Sequence, residues 1–225
     1  MNIVLFGPPG SGKGTQADNL AKEFNLFKIS TGDLLRTEVK KESSLGKQIK
    51  SVIDKGLLVS DNIINNLIEN IISNKNYFNR LIFDGYPRNL QQAKNLEILV
   101  KKYNQKIFCF LSLNVDKDII IKRILGRQVC SKCDQTFNEY FNPSTEKNHK
   151  CGPDFLKKRS DDNEKIIKKR FSTYEEETFP VLEYYSKKNL LHQIEGMREI
   201  SQIYKEIRDI IASLDTWLYK GYLYK

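Results

Sequence analysis

The chain has 225 residues, of which 40% are apolar and 29% are charged. This length is sufficient for one large domain with a substantial core, and this composition excludes an intrinsically disordered chain. No apolar run approaches the length of a membrane-spanning helix, and the first residues lack the basic and apolar regions of a secretory signal. We therefore expect a cytoplasmic protein with reduced cysteines and no membrane partner.

The formal net charge of +9 would suit a nucleic-acid-binding protein. The lysines, however, are scattered or paired, as in Lys40-Lys41 and Lys101-Lys102, a pattern typical of solvated surfaces. Most of the arginines fall within short motifs instead, and a guanidinium group suits forked contacts with phosphate. We therefore expect small phosphate-bearing ligands and no nucleic-acid partner.

Five short apolar segments alternate with longer segments of helical periodicity. This alternation predicts an α/β fold in which helices cover both faces of a parallel five-stranded sheet. The predicted strands are residues 2–6, 27–30, 81–84, 107–113 and 190–194. The predicted helices are residues 14–24, 89–103, 116–126, 161–187 and 199–214.

Two regions interrupt the alternation and predict inserts that stand off the sheet. Residues 30–59 have a mostly helical pattern that is closed by Gly56, whereas residues 127–159 lack a core pattern and contain three of the four cysteines. The core domain is then expected to comprise residues 1–29, 60–126 and 160–214. A tail, residues 215–225, contains Trp217, Tyr219, Tyr222 and Tyr224, and the sequence indicates no role for it.

The first predicted strand is followed by the glycine-rich segment Gly7-Pro8-Pro9-Gly10-Ser11-Gly12-Lys13, and a predicted helix begins directly after it. Glycines allow the backbone to curl so that successive N–H groups face one anion, and the helix adds its positive end. Residues 7–13, the phosphate loop, therefore predict a nucleoside triphosphate site. Gly14 stands where a hydroxyl residue commonly follows the lysine, with Thr15 one place later. We therefore expect Mg²⁺ to be held mostly by water and phosphate, with Asp84 as an outer-shell partner.

A second anion site is expected beside the phosphate loop. Arg36 follows the second predicted strand and Arg88 follows the third. Ligands of open parallel sheets gather at the carboxyl ends of the strands, so both arginines are placed to meet a second phosphate. For either arginine alone, a surface ion pair is an equally good interpretation.

The cysteines of the second insert have the spacing of metal ligands. Cys130 and Cys133 form one pair, and Cys151 is followed by Asp154 at the same spacing. Such turns predict a closed structural zinc site, with iron or cobalt as alternative metals and Asp154 or His149 as the fourth ligand. Three unpaired thiols without a metal are the simpler alternative. Cys109 lies in an apolar segment and is expected to be buried.

Taken together, the motifs resemble the adenylate kinase family in its bacterial long form with a zinc-bearing lid. The resemblance covers residues 1–214 and rests on segments 7–15, 30–36, 84–88, 123–127, 159–162 and 169–170. It implies a P-loop NTPase-type fold in which residues 30–59 bind the nucleoside monophosphate and residues 127–159 form the lid. It further implies a monomer that catalyses ATP + AMP = 2 ADP with Mg²⁺ and maintains the adenine nucleotide balance. The lid pattern of this form accepts Asp as the fourth ligand, so Asp154 is the expected zinc ligand.

The resemblance also implies a role for individual residues. The ATP-binding set it implies is Gly10, Ser11, Gly12, Lys13, Gly14, Thr15, Arg123, Arg127, Thr136, Phe137 and Arg198, the last three near the adenine and ribose. The AMP-binding set is Thr31, Arg36, Leu57, Leu58, Val59, Gly85, Tyr86, Pro87, Arg88, Gln92, Arg159 and Arg170. The catalytic set is Lys13, Arg88, Arg123, Arg127, Arg159, Arg170, Asp161 and Asp162. In this set the two carboxylates are expected to anchor Arg159, Arg170 and the hinge of the lid.

The expected chemistry does not require a catalytic histidine, and neither His149 nor His192 lies in these motifs. A phosphate monoester is largely a dianion at neutral pH, so it attacks without a general base. The reaction requires alignment and charge neutralisation, which arginines, Lys13 and Mg²⁺ supply. Two alternatives remain open: a kinase for UMP or CMP, and a zinc-ribbon protein that binds nucleic acid through its positive charge.

Overall fold

Five parallel strands form the central sheet of the computed structural model, which describes residues 1–222, with side chains described as far as Leu214. The strands are β1 (Asn2–Phe6), β2 (Phe27–Ser30), β3 (Leu81–Asp84), β4 (Ile107–Asn114) and β8 (Leu191–Glu195). Their order is β2-β3-β1-β4-β8, and Val4 in the middle of β1 is in register with Phe83 and Phe110. The predicted α/β fold with a five-stranded parallel sheet is confirmed. The side chains of the predicted tail, 215–225, lie outside the described residues.

The two faces of the sheet are covered because successive strand residues point to opposite sides. Val4, Phe83 and Phe110 lie in one buried cluster, whereas their neighbours Ile3 and Ile82 lie in another. The covering helices are α1 (Lys13–Glu23), α5 (Leu90–Lys102), α6 (Lys117–Leu125), α7 (Glu164–Thr173), α8 (Pro180–Ser186) and α9 (Ile200–Tyr222). Within the described part of the chain, no helix combines the length and apolarity needed to cross a membrane.

The first insert begins where β2 ends. It contains α2 (Thr31–Lys40) and α3 (Ser44–Ile53), and α4 (Asp61–Ile72) follows it. Serines cap the starts of α2 and α3. The Ser30 hydroxyl accepts from the Asp33 backbone N–H at 3.3 Å, and the Ser43 hydroxyl accepts from the Gly46 backbone N–H at 2.9 Å. A short 3₁₀ helix (Lys75–Tyr77) then leads to β3.

The second insert contains an antiparallel sheet that the sequence pattern did not reveal. Its strands, β5 (Arg127–Cys130), β6 (Thr136–Asn138) and β7 (Leu156–Lys157), are arranged in the order β6-β5-β7. Three strands of two to four residues are too short to show an apolar alternation in the sequence. The domain boundaries themselves stay a prediction.

The helix predicted over residues 161–187 is divided in the structure. Helix α7 starts only after Asn163, whose side chain accepts from the Ile166 N–H at 3.0 Å, and a π-helical turn (Tyr174–Thr178) separates α7 from α8. The division has a cause in Pro180, which has no N–H to continue the ladder. The preceding Phe179 N–H instead reaches Tyr174 O at 2.8 Å, the wider spacing of a π turn.

Candidate functional site

The phosphate loop curls between β1 and α1. Gly7 and Gly10 have φ angles of 138° and 80°, values that residues with a side chain rarely adopt. A Cβ on Gly10 would also lie 2.7 Å from Ile124 Cγ1 on α6, so the loop can pack this closely only with glycine there. Helix α1 begins at Lys13, and its first backbone N–H groups and positive end therefore face the loop.

Lys13 folds over this loop and occupies a strongly positive environment. Its Nζ donates to Gly7 O and Pro8 O, both at 2.7 Å, and to Ser11 Oγ at 3.2 Å. Burial lowers the pKa of Lys13 from 10.5 to about 8; Asp84 opposes this shift, while the charges of Arg88, Arg170 and Arg127 add to it. Lys13 and three arginines thus converge on one place, which suits a polyanion.

Asp84 ends β3 beside the start of α1. A Cβ on Gly14 would lie 3.5 Å from Asp84 Oδ2, in ordinary contact, so the carboxylate lies directly beside the first turn of α1. Burial raises the pKa of Asp84, and Lys13 and Lys28 act in the opposite direction. A carboxylate oxygen is a donor that Mg²⁺ prefers, and its position beside the loop fits a role in the outer shell of that ion.

Two arginines from the second insert and α7 are held by a pair of adjacent aspartates. Arg127 donates from Nε to Asp162 Oδ2 at 2.8 Å and from Nη2 to Oδ1, while Arg170 Nη1 donates to Asp161 Oδ2 at 2.9 Å. Burial alone would raise the pKa of Asp161, but the charge of Arg170 holds it below its usual value. The resemblance implied that this acidic pair anchors Arg159 and Arg170. The structure pairs Asp161 with Arg170 as expected, but Asp162 is paired with Arg127 in place of Arg159.

Three further arginines reach the same edge of the sheet. Arg123 Nη1 lies 3.4 Å from Ser11 O in the phosphate loop. Arg36 donates to Asp33 Oδ1 at 2.5 Å, and Arg159 Nη2 lies 3.8 Å from that oxygen. Burial would raise the pKa of Asp33, yet Arg36 and Arg159 lower it. The carboxylate of Asp33 therefore links an arginine of the first insert to one of the second.

A small cavity at the end of β3 contains several residues of the predicted AMP set. It is lined by Thr31, Leu35, Leu58, Val59, Ile64, Gly85, Arg88 and Gln92. Thr31 Oγ1 and Arg88 Nε both donate to Gly85 O at 2.7 Å, so the carbonyl of Gly85 orients both groups. Burial lowers the pKa of Arg88 to about 10, with the charge of Arg170 adding to the shift, and Arg88 therefore stays charged at neutral pH. Leu57 is exposed beside this cavity, and Tyr86 and Pro87 are buried.

The residues predicted near the adenine and ribose of ATP have other surroundings. Arg198 Nη1 pairs with Glu206 Oε2 at 3.1 Å, and Thr136 is exposed on β6. The ring of Phe137 is buried, 4.8 Å from the ring of His149. Any contact of Phe137 with a nucleotide would therefore come from its backbone.

The cysteines of the second insert lie together with a histidine. Ligand atoms of Cys130, Cys133, His149 and Cys151 all lie within 4.8 Å of one another. His149 is buried; its Nδ1 is 3.0 Å from Ser144 Oγ, and its buried Nε2 has no hydrogen-bond partner among the described residues. A metal-binding histidine commonly binds the metal through one ring nitrogen while a hydrogen bond holds the other. His149 has this arrangement, with Nε2 free among the described residues and Nδ1 held by Ser144.

The expectation that Asp154 is the fourth ligand is corrected to His149. Gly152, with a φ of 91°, and Pro153 begin a 3₁₀ turn, Pro153–Phe155, which carries Asp154 into solvent. The sequence spacing matched, but the turn after Cys151 does not point back towards the other thiols. The donor set of three thiolates and one imidazole fits a closed tetrahedral zinc site.

Sequence reasoning missed Asp61 and Asn89. Asp61 Oδ1 accepts from Gln92 Nε2 at 2.7 Å and from Asn89 Nδ2 at 3.1 Å, directly behind the cavity at the end of β3. The only sequence signal was that an acidic residue follows Ser60 at a helix start, which is common in any helix.

Comparisons with known proteins agree with this geometry. The family model described as adenylate kinase matches residues 5–190. A protein of Pelagibacter ubique named adenylate kinase is 51% identical over 211 residues, which is 94% of this chain and 99% of that protein. A protein of Methanocella arvoryzae with the same name is 42% identical over 216 residues, 95% of this chain and 100% of that protein. The chain belongs to the adenylate kinase family and is a nucleoside monophosphate kinase, a phosphotransferase.

Proposed function

We propose that the chain catalyses ATP + AMP = 2 ADP reversibly with Mg²⁺ and so maintains the adenine nucleotide balance. The observation that carries the proposal is the convergence of Lys13, Arg88, Arg127 and Arg170, whose mutual repulsion contributes to the low pKa of Lys13. The phosphate groups of two nucleotides that meet at this point would neutralise these charges. In the transfer, the triphosphate of ATP lies on one side of the reacting group and the phosphate of AMP on the other.

The phosphate loop is proposed to hold ATP. Residues 10–15, from the loop into the first turn of α1, would present backbone N–H groups to the phosphates, and Lys13 would supply charge. Arg123 and Arg127 approach from α6 and β5. Mg²⁺ bound with ATP neutralises charge on the phosphates, and Asp84 would support its shell. The adenine and ribose are assigned to the region of Thr136, Phe137 and Arg198, with Phe137 acting through its backbone.

The cavity at the end of β3 is proposed to hold AMP. Arg36 and Arg88 would contact its phosphate, while Thr31 and Gln92 would contact its base. The apolar wall would come from residues 57–59 and the floor from residues 85–87. The support is that one small cavity collects Thr31, Val59, Gly85, Arg88 and Gln92 from three separate segments of the chain.

The transfer itself is proposed to use alignment rather than proton abstraction. AMP brings its own dianionic nucleophile, since the second pKa of a phosphate monoester is about 6. Arg88, Arg159 and Arg170 would orient and neutralise the transferring group, and Asp161 and Asp162 hold Arg170 and Arg127 in place. The arginines do so without a change in their own protonation.

Zinc is proposed as a structural metal held by Cys130, Cys133, His149 and Cys151. Four protein ligands leave no open position for chemistry, and the second insert has few apolar residues for a core of its own. The domain boundaries given above, with residues 127–159 as the lid, belong to the same proposal. We further propose that the protein works as a monomer in the cytoplasm and uses no nucleic acid partner.

A coupled assay tests the proposal. The purified protein, with Mg²⁺ and ATP, is given AMP, UMP or CMP as acceptor, and GTP replaces ATP in a parallel series. ADP formation fastest from ATP with AMP supports the proposal. Faster turnover of UMP or CMP would assign the site to another monophosphate, and a shift of labelled RNA or DNA at low salt would favour a nucleic-acid partner.

A further inference from the structure

The side-chain amide of Gln92 is held at both of its ends. The backbone N–H of Arg88 donates to Gln92 Oε1 at 2.8 Å, and Gln92 Nε2 donates to Asp61 Oδ1 at 2.7 Å. A backbone N–H can only donate and a carboxylate can only accept. These two partners therefore determine which end of the amide is oxygen and which is nitrogen.

Asp61 is itself oriented by its neighbours. Asn89 Nδ2 donates to Asp61 Oδ1 at 3.1 Å and to Oδ2 at 3.4 Å, and Asn89 Oδ1 accepts from the backbone N–H of Gln92 at 2.8 Å. Gln92, Asp61 and Asn89 thus form a closed ring of hydrogen bonds, to which the Arg88 N–H adds a further bond at Gln92. Asp61 also lies in the first turn of α4, where the positive end of the helix favours a negative charge. Gln92 is only 1% exposed, so its amide has little opportunity to exchange these partners for water.

We propose that Asp61 is a positioning residue that determines which purine the monophosphate site accepts. The inference rests on the proposed placement of AMP against Gln92. After its two bonds to the protein, the amide retains one acceptor lone pair on Oε1 and one N–H on Nε2. Adenine presents a donor, its N6 amino group, beside a ring-nitrogen acceptor, and this pattern complements the retained pair.

A 6-oxopurine presents the opposite pattern. Hypoxanthine and guanine have an O6 acceptor beside an N1–H donor, and to read them the amide must exchange its ends. The exchange would place Nε2 against the Arg88 N–H and Oε1 against the Asp61 carboxylate. Two donors would then face each other at Arg88 and two acceptors at Asp61, so both contacts would be repulsive. The Arg88 N–H and the Asp61 carboxylate would also lose the hydrogen bonds that Gln92 now gives them. Asp61 therefore acts against 6-oxopurines through Gln92, without touching the base itself.

The test compares AMP and IMP as acceptors with ATP held saturating. In Asp61→Leu, which has a similar shape and no acceptor, the ratio of kcat/KM for AMP over IMP should fall about tenfold. The fall should come from a higher KM for AMP and a lower KM for IMP, with kcat for AMP and KM for ATP retained. Asp61→Asn keeps an acceptor oxygen and should preserve most of the ratio. An unchanged ratio in Asp61→Leu overturns the proposal; should that variant not fold, Asp61→Ala, which also lacks an acceptor, is used instead.

Two controls separate positioning from a loss of structure. Asp118→Leu removes an exposed acidic residue from the first turn of α6 and should leave the ratio unchanged. In a Gln92→Ala background, Asp61→Leu should cause no further fall, because Asp61 acts through Gln92. An equal fall in that background overturns the proposal.

The same experiment distinguishes this inference from the function on which it rests. A folded wild-type protein that makes no ADP from ATP and AMP contradicts the proposed function. An unchanged KM for AMP in Gln92→Ala contradicts the placement of AMP. A third outcome contradicts only the role of Asp61. In it, the wild-type enzyme prefers AMP and Gln92→Ala raises the KM for AMP, but the AMP-over-IMP ratio of kcat/KM is unchanged in Asp61→Leu.

Discussion

Arg127 and Asp162 form a two-pronged ion pair that joins the first strand of the second insert to the segment just beyond it. Nε of Arg127 donates to Oδ2 at 2.8 Å and Nη2 donates to Oδ1, and the Asp162 side chain is fully buried. Such a fork fixes the plane of the guanidinium as well as its position. The pair therefore holds both the insert and an arginine of the proposed ATP site.

Asp162→Asn tests both roles of the pair, in stability and in the binding of ATP. The substitution keeps the shape but removes the charge, so we expect the free energy of unfolding to fall by about 2 kcal/mol and the KM for ATP to rise. Denaturant unfolding and initial rates measure both quantities. Glu164→Gln, which breaks the exposed Glu164–Lys168 pair nearby, is the control and should leave both unchanged. If Asp162→Asn changed the free energy of unfolding and the KM for ATP no more than Glu164→Gln does, the buried pair would contribute to neither.

Arg88→Ala should retain the fold and lose turnover. Arg88 lies between Gly85 O and Thr31 Oγ1 at the proposed meeting point of the two nucleotides. By analogy with other arginines that neutralise a transferring phosphoryl group, kcat should fall on the order of 10³-fold. Steady-state kinetics and a melting curve measure the effect, with Arg208→Ala, which breaks an exposed pair with Glu23, as the control. Turnover similar to wild type in Arg88→Ala would exclude the proposed role.

Zinc analysis can distinguish His149 from Asp154. We expect about one zinc per chain in the wild-type protein and in Asp154→Ala, but little in His149→Ala, because only the histidine lies among the thiols. Chelation should lower the melting temperature more than it changes initial rates at low temperature. Wild-type protein that is purified without metal and melts unchanged in chelator would contradict the site. Metal loss in Asp154→Ala alone would restore the carboxylate as ligand.

The binding of ATP should weaken at high pH because of Lys13. Its pKa of about 8 lies below the ordinary 10.5, so its charge is lost as the pH rises through about 8. The KM for ATP should be flat below pH 7 and rise by up to about tenfold for each pH unit above 8. The unfolded state binds more protons in the window between the two pKa values, so Lys13 makes the free protein more stable as pH rises there.

The KM for AMP is the internal control for this experiment. Its proposed phosphate ligand Arg88 has a pKa of about 10 and stays charged to pH 9. A parallel rise of both KM values would indicate a general loss of structure. A KM for ATP that stays constant to pH 9 would contradict the assignment to Lys13.

The features that the sequence predicted correctly are those that depend on neighbouring residues in the chain. Strands β1, β2 and β3 have the predicted bounds. The apolar runs of β1 and β3 are followed directly by Gly7 and Gly85, whose positive φ angles end the extended backbone. The phosphate loop was recognisable because its glycines and Lys13 form one continuous segment between a strand and a helix. The division of helix 161–187 was not predicted, because the hydrophobic period alone does not reveal a π turn before Pro180.

Long-range geometry explains the remaining differences. Asp154 had the correct spacing, but spacing does not determine in which direction a turn points, and it is His149, two residues before Cys151, that reaches the thiols. Asp61 and Gln92 are far apart in sequence and meet only because α4 packs beside α5. A carboxylate that orients another side chain has no motif of its own.

The central claim is that the γ-phosphoryl group passes directly from ATP to AMP, aligned by arginines. It is tested most directly with ATP labelled at its γ-phosphate, mixed with unlabelled AMP, Mg²⁺ and the folded protein. We predict that the label appears as the β-phosphate of ADP, with little inorganic phosphate. Label released only as inorganic phosphate, or no ADP at all, would contradict the account.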